Sequence, residues 1–453
     1  MMGMDGPSMQ ISDHSPQNAP GKLGFWMCLA LVMGTMIGSG VFLLPASLAP
    51  LGWNAVIGWI VTIFGTLCMV LVFARLARDM PGGSGPYSYA AAAFGPGAGF
   101  IVAWSFWIGV WVTVAALAVA VASNLSSLFP IIAADPGVSA SVALSVIWLL
   151  TALNCLGVRE AGKVQLLTMM LKIIPLAGAM ILAAWLLGSG GVTPPPLAEV
   201  APISLSGISS AAALTLFAFL GFESALTVGD RVERPEVNVP RATVIGAIAT
   251  GIIYLFACSA VTMLMPVADV ARSNAPFATF FAAFVSPAAG QAVALFAAIA
   301  ALGSLNGNVL QQGEVLTPLA HSGMLPAWFA LQSSRGTPVR VHLLSSSLAS
   351  LLVLANFTKG IAGLFKFMAL VTTSVTIIFY MAGVLAALKF ERSGRIGTSR
   401  GFAALTVISL VYAAWAFYGA GLEASLWSLL MTATGIPIYL FMTRSPPAQQ
   451  PAE

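Results

Sequence analysis

Three small groups of residues interrupt an otherwise apolar chain where polar chemistry is costly. Gly38, Ser39 and Gly40 stand in the stretch 33–45, MGTMIGSGVFLLP; Gly221 and Glu223 stand in 216–225, LFAFLGFESA; Lys172 stands in LTMMLKIIPLAG. Glycine costs about 1 kcal/mol against alanine inside a helix, and serine satisfies itself on nearby backbone, so Gly-Ser-Gly divides a helix into two halves. Freed N–H groups at the start of the second half suit a carboxylate, and freed carbonyls suit a cation. One broken segment therefore offers seats to both ends of an amino-acid zwitterion.

The elements that carry these groups must lie in a membrane. Of 453 residues, 58% are hydrophobic and 8% charged, against about 25% charged in soluble domains, and the mean hydropathy is +0.94. In lipid, a broken helix is tolerated only where its freed groups line a cavity or a ligand. The net charge of +4 is scattered over short loops and forms no basic face, so no nucleic-acid partner is expected. The four cysteines (Cys28, Cys68, Cys155, Cys258) lie in apolar spans without ligand spacing, and the three histidines fall in the tail or in loops. Neither a disulfide nor a metal site is expected, and no cofactor is implied.

A bilayer core of about 30 Å takes about 20 apolar residues per helix. That ruler predicts an all-α membrane protein with 12 spans: 23–49, 53–76, 97–125, 139–157, 164–188, 206–229, 242–265, 287–319, 341–357, 361–388, 402–419 and 424–443. Residues 1–21 read as a disordered cytoplasmic tail without a cleavable signal, and 446–453 as a second tail. Fifteen of the 19 Lys and Arg residues fall on one side of this topology, only Arg272 and Lys359 lie in loops on the other, and Lys172 and Lys366 lie within spans. The positive-inside rule then places both termini in the cytoplasm. The loop 81–89 reads as cytoplasmic and irregular, and 188–202 as an external linker. The breaks fall in spans one and six, the relation expected of two inverted five-helix repeats, 22–201 and 202–390, followed by two further helices in 391–445. A packing glycine is the alternative for either break alone.

GTMIGSGVFLLP, the loop PGGSGPYSYAAAAFGPGAGF, the FLGFES of span six and the ERPEVNVPRA after it resemble the amino acid–polyamine–organocation transporters. The resemblance runs from about residue 22 to 445 and lies nearest the basic amino acid/polyamine antiporter branch that includes the arginine/agmatine antiporter. It implies the LeuT-type fold, with alternating access around a midplane site and the last two helices packed peripherally or at a homodimer interface. It also implies that Ser39 and Gly40 take the substrate carboxylate, and that backbone near Met36, Gly38, Leu220 and Gly221 takes the α-amino group. Phe217 would be an aromatic lid and Phe106 a wall. Thr35, Val114 and Asn308 stand where the antiporter has asparagine, asparagine and tryptophan. The groups expected to hold a guanidinium are missing, which favours a neutral amino acid.

Lys172 belongs to span five, and a lysine at the bilayer centre costs roughly 2.5 to 3.5 kcal/mol, so it should face the bundle with a partner. Its ammonium can stand where sodium-coupled relatives of the fold hold sodium, touching carbonyls near the first break and Ser304, and so act as a proton switch; the alternative is a lysine that snorkels to the interface. Glu223 reads as a proton site or a link to a neighbouring helix. Glu314 reads as a helix-end carboxylate bonded locally, and Asn306 and Asn308 as substrate contacts or interhelical glue. HExxH, GxSxG and GxxxxGK[ST] are absent, which speaks against an enzyme or an ATP-driven pump. The expectation is a secondary active amino-acid transporter of the inner membrane, a proton-coupled symporter of a neutral amino acid. The alternative is an amino acid/amine exchanger for basic amino acids or polyamines; a sensor that keeps the fold without flux is a third class.

Overall fold

A computed structural model describes residues 23–80, 85–156, 161–194, 200–227, 232–334, 336–397 and 399–444. The expected tails 1–21 and 446–453, residues 81–84 and the side chain of Ser39 lie outside what is described. In chain order the helices are α1 (Phe25–Met36), α2 (Leu44–Leu48), α3 (Trp53–Asp79), α4 (Pro86–Phe94), α5 (Pro96–Leu125), α6 (Ile131–Ala134), α7 (Pro136–Cys155), α8 (Ala161–Gly188), α9 (Leu205–Phe219) and α10 (Ser224–Thr227). They continue as α11 (Pro235–Leu264), α12 (Val267–Arg272), α13 (Pro276–Phe284), α14 (Pro287–Glu314), α15 (Leu316–His321), α16 (Val339–Asn356), α17 (Gly360–Arg392), α18 (Arg400–Gly419), α19 (Leu422–Ala433) and α20 (Gly435–Arg444). Extended pairing among the described residues is confined to an isolated parallel bridge between Leu23 and Val232, beside which Glu233 N donates to Leu23 O at 2.9 Å.

Among the described residues, ten helical stretches are long and apolar enough to cross a bilayer. One of them, Val339–Arg392, has 54 residues, about 80 Å at 1.5 Å per residue, and so exceeds two crossings of the hydrocarbon core. The turn Phe357–Lys359 divides it into α16 and α17. The first expected span is broken into α1, a 3-10 turn Ser39–Phe42 and α2. After the break the described chain continues in short pieces, with Pro45 in the first turn of α2, where proline starts a helix, and Pro50 in the 3-10 turn Ala49–Leu51 that follows it.

The centre of the molecule is α5, buried along most of its length because α14 and α17 pack against it. Its tryptophans are core: Trp107 Nε1 donates to Ser345 Oγ at 2.9 Å and Trp104 Nε1 to Thr434 Oγ1 at 3.1 Å. The expected irregular loop at 81–89 is helical from Pro86, which is a correction. The alanine-rich segment PYSYAAAAF favours helix, and Gly85 and Gly95, both at φ +97°, turn the chain sharply at its ends. On the opposite side, α13 carries Phe277 edge-on against Phe42, ring centres 5.3 Å apart. Lys366 is exposed near the start of α17.

Candidate functional site

Helix α1 stops at Met36. Ile37 N still donates to Met33 O at 2.7 Å, Gly38 N turns to Met36 O at 2.6 Å, and Gly38 itself is extended (φ −82°, ψ 171°). The carbonyls released here are met by side chains of other helices. Tyr254 of α11 donates its hydroxyl to Met36 O at 2.7 Å, and Lys172 of α8 donates its ammonium to Gly34 O at 3.2 Å and to Ser304 Oγ at 2.7 Å. Lys172 is fully buried, on the bundle side of its helix and not at the interface.

The second break follows α9. Leu220 is extended and Gly221 has φ +107°, a left-handed conformation that favours glycine. Glu223 folds back over this turn, where its Oε2 accepts from Gly221 N at 3.1 Å and from the Tyr380 hydroxyl of α17 at 2.7 Å. The two breaks touch: Thr35 Oγ1 lies 3.0 Å from Gly221 O and 2.9 Å from Ser224 Oγ. A Cβ on Gly221 would come within 3.1 Å of the Thr35 backbone, so the glycine is also what lets the two chains approach.

Between them lies a cavity of about 370 Å³. Thr35, Met36, Gly38, Gly40, Phe106, Phe217, Leu220, Gly221, Glu223, Ser304 and Asn308 all line it. Lys172 stands behind the wall, holding two lining residues. Phe217 lies so close to Gly40 that a Cβ there would sit 2.3 Å from the ring, and it meets Phe365 edge-on at 5.7 Å. Phe106 stacks on Phe379 at 4.5 Å. Asn308 Nδ2 donates along its own helix to Ser304 O at 2.9 Å.

Sequence reasoning missed Thr113, Gln311 and Glu314 as parts of this wall. Spacing carried a signal for two of them: Thr113 is seven residues from Phe106 and Gln311 seven from Ser304, two helical turns in each case. Val114, expected to mark a lost polar contact, is not in the lining; its neighbour Thr113 is. Glu314, the last residue of α14, is exposed at the cavity mouth, and among the described residues no hydrogen bond or ion pair holds it locally. A helix C-terminus presents carbonyls, which a carboxylate cannot bond, and α15 follows directly. The lining contains two carboxylates, Glu223 and Glu314, and no Lys, Arg or His among the described residues.

Two broken helices meeting at a mostly apolar cavity that holds two carboxylates, inside a bundle of apolar crossings, define a membrane-embedded carrier of small molecules. A family model described as amino acid permease matches residues 23–443, and the chain belongs to that family of the amino acid–polyamine–organocation superfamily. It is therefore a multi-pass membrane transporter. It is similar to the putrescine transporter PotE of Haemophilus influenzae, at 29% identity over 427 residues, 93% of this chain and 97% of that one. PotE of Escherichia coli is 26% identical over 420 residues, 92% and 95% of the two chains. The cadaverine/lysine antiporter of Escherichia coli is 29% identical over 375 residues, 82% and 84% of the two.

Proposed function

We propose that the chain is a secondary active exchanger of cationic amines or basic amino acids at the cytoplasmic membrane. The observation that carries this reading is the charge of the cavity wall, which has two carboxylates and no basic side chain among its described residues. An ammonium leaving water needs a carboxylate partner, and a neutral zwitterion does not need two. The preference for a neutral substrate rested on missing guanidinium contacts at positions 35, 114 and 308. Val114 is not in the wall, Thr35 is spent on joining the breaks, and a linear amine has no planar group to stack. The names of the relatives, a putrescine transporter and a cadaverine/lysine antiporter, point the same way.

The mechanism is alternating access between the halves 22–201 and 202–390. A carboxylate on the substrate would bind the backbone at Ser39 and Gly40, its amine would lie toward Glu223, and Phe217 would cover both. The cavity reaches solvent at Glu314, near the C-terminus of α14, while Phe217 on Gly40 and Phe277 on Phe42 crowd the opposite side. With both termini cytoplasmic, this geometry faces inward.

Lys172 supports a second reading, proton-coupled uptake, because its ammonium occupies the first break as a bound cation would. Labelled putrescine, cadaverine, lysine, arginine, alanine and leucine, offered to proteoliposomes with empty or loaded lumens and with or without a proton gradient, test both. Uptake of diamines and lysine into loaded vesicles only is expected. Gradient-driven uptake of alanine or leucine into empty vesicles would overturn the exchanger in favour of symport.

A further inference from the structure

Glu223 and Glu314 line one cavity but stand in opposite circumstances. Glu223 is buried, with one oxygen held by Tyr380 and by the Gly221 amide. Glu314 is exposed, and no described residue makes an ion pair with it. Gln311, one turn earlier on α14, also lines the cavity and is half-buried, whereas Gln312 beside it turns away to donate to Ser346 Oγ at 2.9 Å. Along this face the polar groups run from Ser304 through Asn308 and Gln311 to Glu314. The six residues from Asn308 to Glu314 rise about 9 Å, from the level of the breaks to the cavity mouth.

We propose that Glu314 and Gln311 form a second amine subsite at the mouth of the cavity, an entry and exit station for the ammonium on the side that carries the α14 C-terminus. This rests on the amine reading above. Its physical basis is that a carboxylate with no ion-pair partner among the described residues, facing a wall without basic groups among them, concentrates cations at the opening. Being solvated, it holds them weakly, so each can move on to Glu223 or out to solvent. Gln311 supplies an amide oxygen that accepts from the same ammonium, which orients it along the cavity. The subsite belongs to one face only, because Phe217 packed on Gly40 covers the cavity on the other side of the breaks.

The test is the KM for labelled putrescine, measured from each face in proteoliposomes of defined orientation, for the wild type, Glu314→Gln and Glu314→Asp. With Glu314→Gln the KM on the α14 C-terminal face is expected to rise about three- to fivefold, the scale of one solvated ion pair, and to change less than twofold on the other face. Glu314→Asp restores most of the difference, and 0.5 M salt erases it by screening. The far-face KM, read on the same protein, shows that the variant is folded. A wild type that carries putrescine, with Glu314→Gln unchanged or weakened equally on both faces, overturns the subsite alone. A wild type that carries no diamine or basic amino acid from either face overturns the amine reading, and the subsite with it.

Discussion

The Lys172 ammonium lies 3.2 Å from the carbonyl of Gly34, so a side chain of α8 holds the last turn of α1 before the chain breaks. A cation fixed at that point sets the angle at which α1 meets the cavity. Lys172→Met keeps the apolar stem and removes the charge. Exchange in counterflow assays is expected to slow at least tenfold, while the Tm of purified protein changes little, because relief from burying a charge offsets the donor lost by the Gly34 carbonyl and the Ser304 hydroxyl. Unchanged exchange would remove Lys172 from the mechanism.

Gly40 has no room for a methyl group beneath Phe217. Gly40→Ala forces the ring aside at a cost of about 1–3 kcal/mol, and uptake is expected to fall by more than tenfold. Phe217→Ala alone weakens substrate retention, whereas the double variant regains part of the activity lost in Gly40→Ala. Strict additivity in initial-rate measurements would mean that ring and backbone do not act together.

Glu223→Gln keeps an oxygen that can accept from Tyr380 and Gly221 but loses the negative charge. The KM for putrescine is expected to rise at least tenfold, equivalent to about 1.4 kcal/mol, and Tyr380→Phe to have a smaller effect. Equal effects of the two variants would make Glu223 a structural link only.

Gly221 combines a left-handed backbone with close approach to Thr35. Gly221→Ala is expected to cost about 1–3 kcal/mol and to lower thermal stability in detergent. Thr35→Val, which removes one inter-break hydrogen bond of about 1 kcal/mol, lowers it less. Thermal shifts on the purified variants check the order.

The breaks were legible because glycine runs stand out in apolar segments, and a lysine in mid-bilayer announces that it needs a carbonyl or hydroxyl nearby. The wall was less legible. Helix α5 is apolar all round, so periodicity does not say which face meets the cavity, and Thr113 escaped notice while Val114 was given weight. Glu314 was hidden by its position at a helix end, where a carboxylate has a bland explanation until the following helix is seen. Helix α4 and the short caps α12 and α13 were lost for another reason: they are too short to cross a bilayer, and hydropathy searches only for elements that do.

Leu23 pairs with Val232 just outside α1 and α10, and Thr35 joins the same two segments at their inner ends, near Gly221 and Ser224. Fastened at both ends, the two segments are expected to swing as a single door leaf, not as two shutters. Transport is then expected to pass through no state with one of them ajar and the other shut. A label on either segment would report the same swing, and a crosslink between them would leave transport running, whereas one from either segment to α14 would lock it.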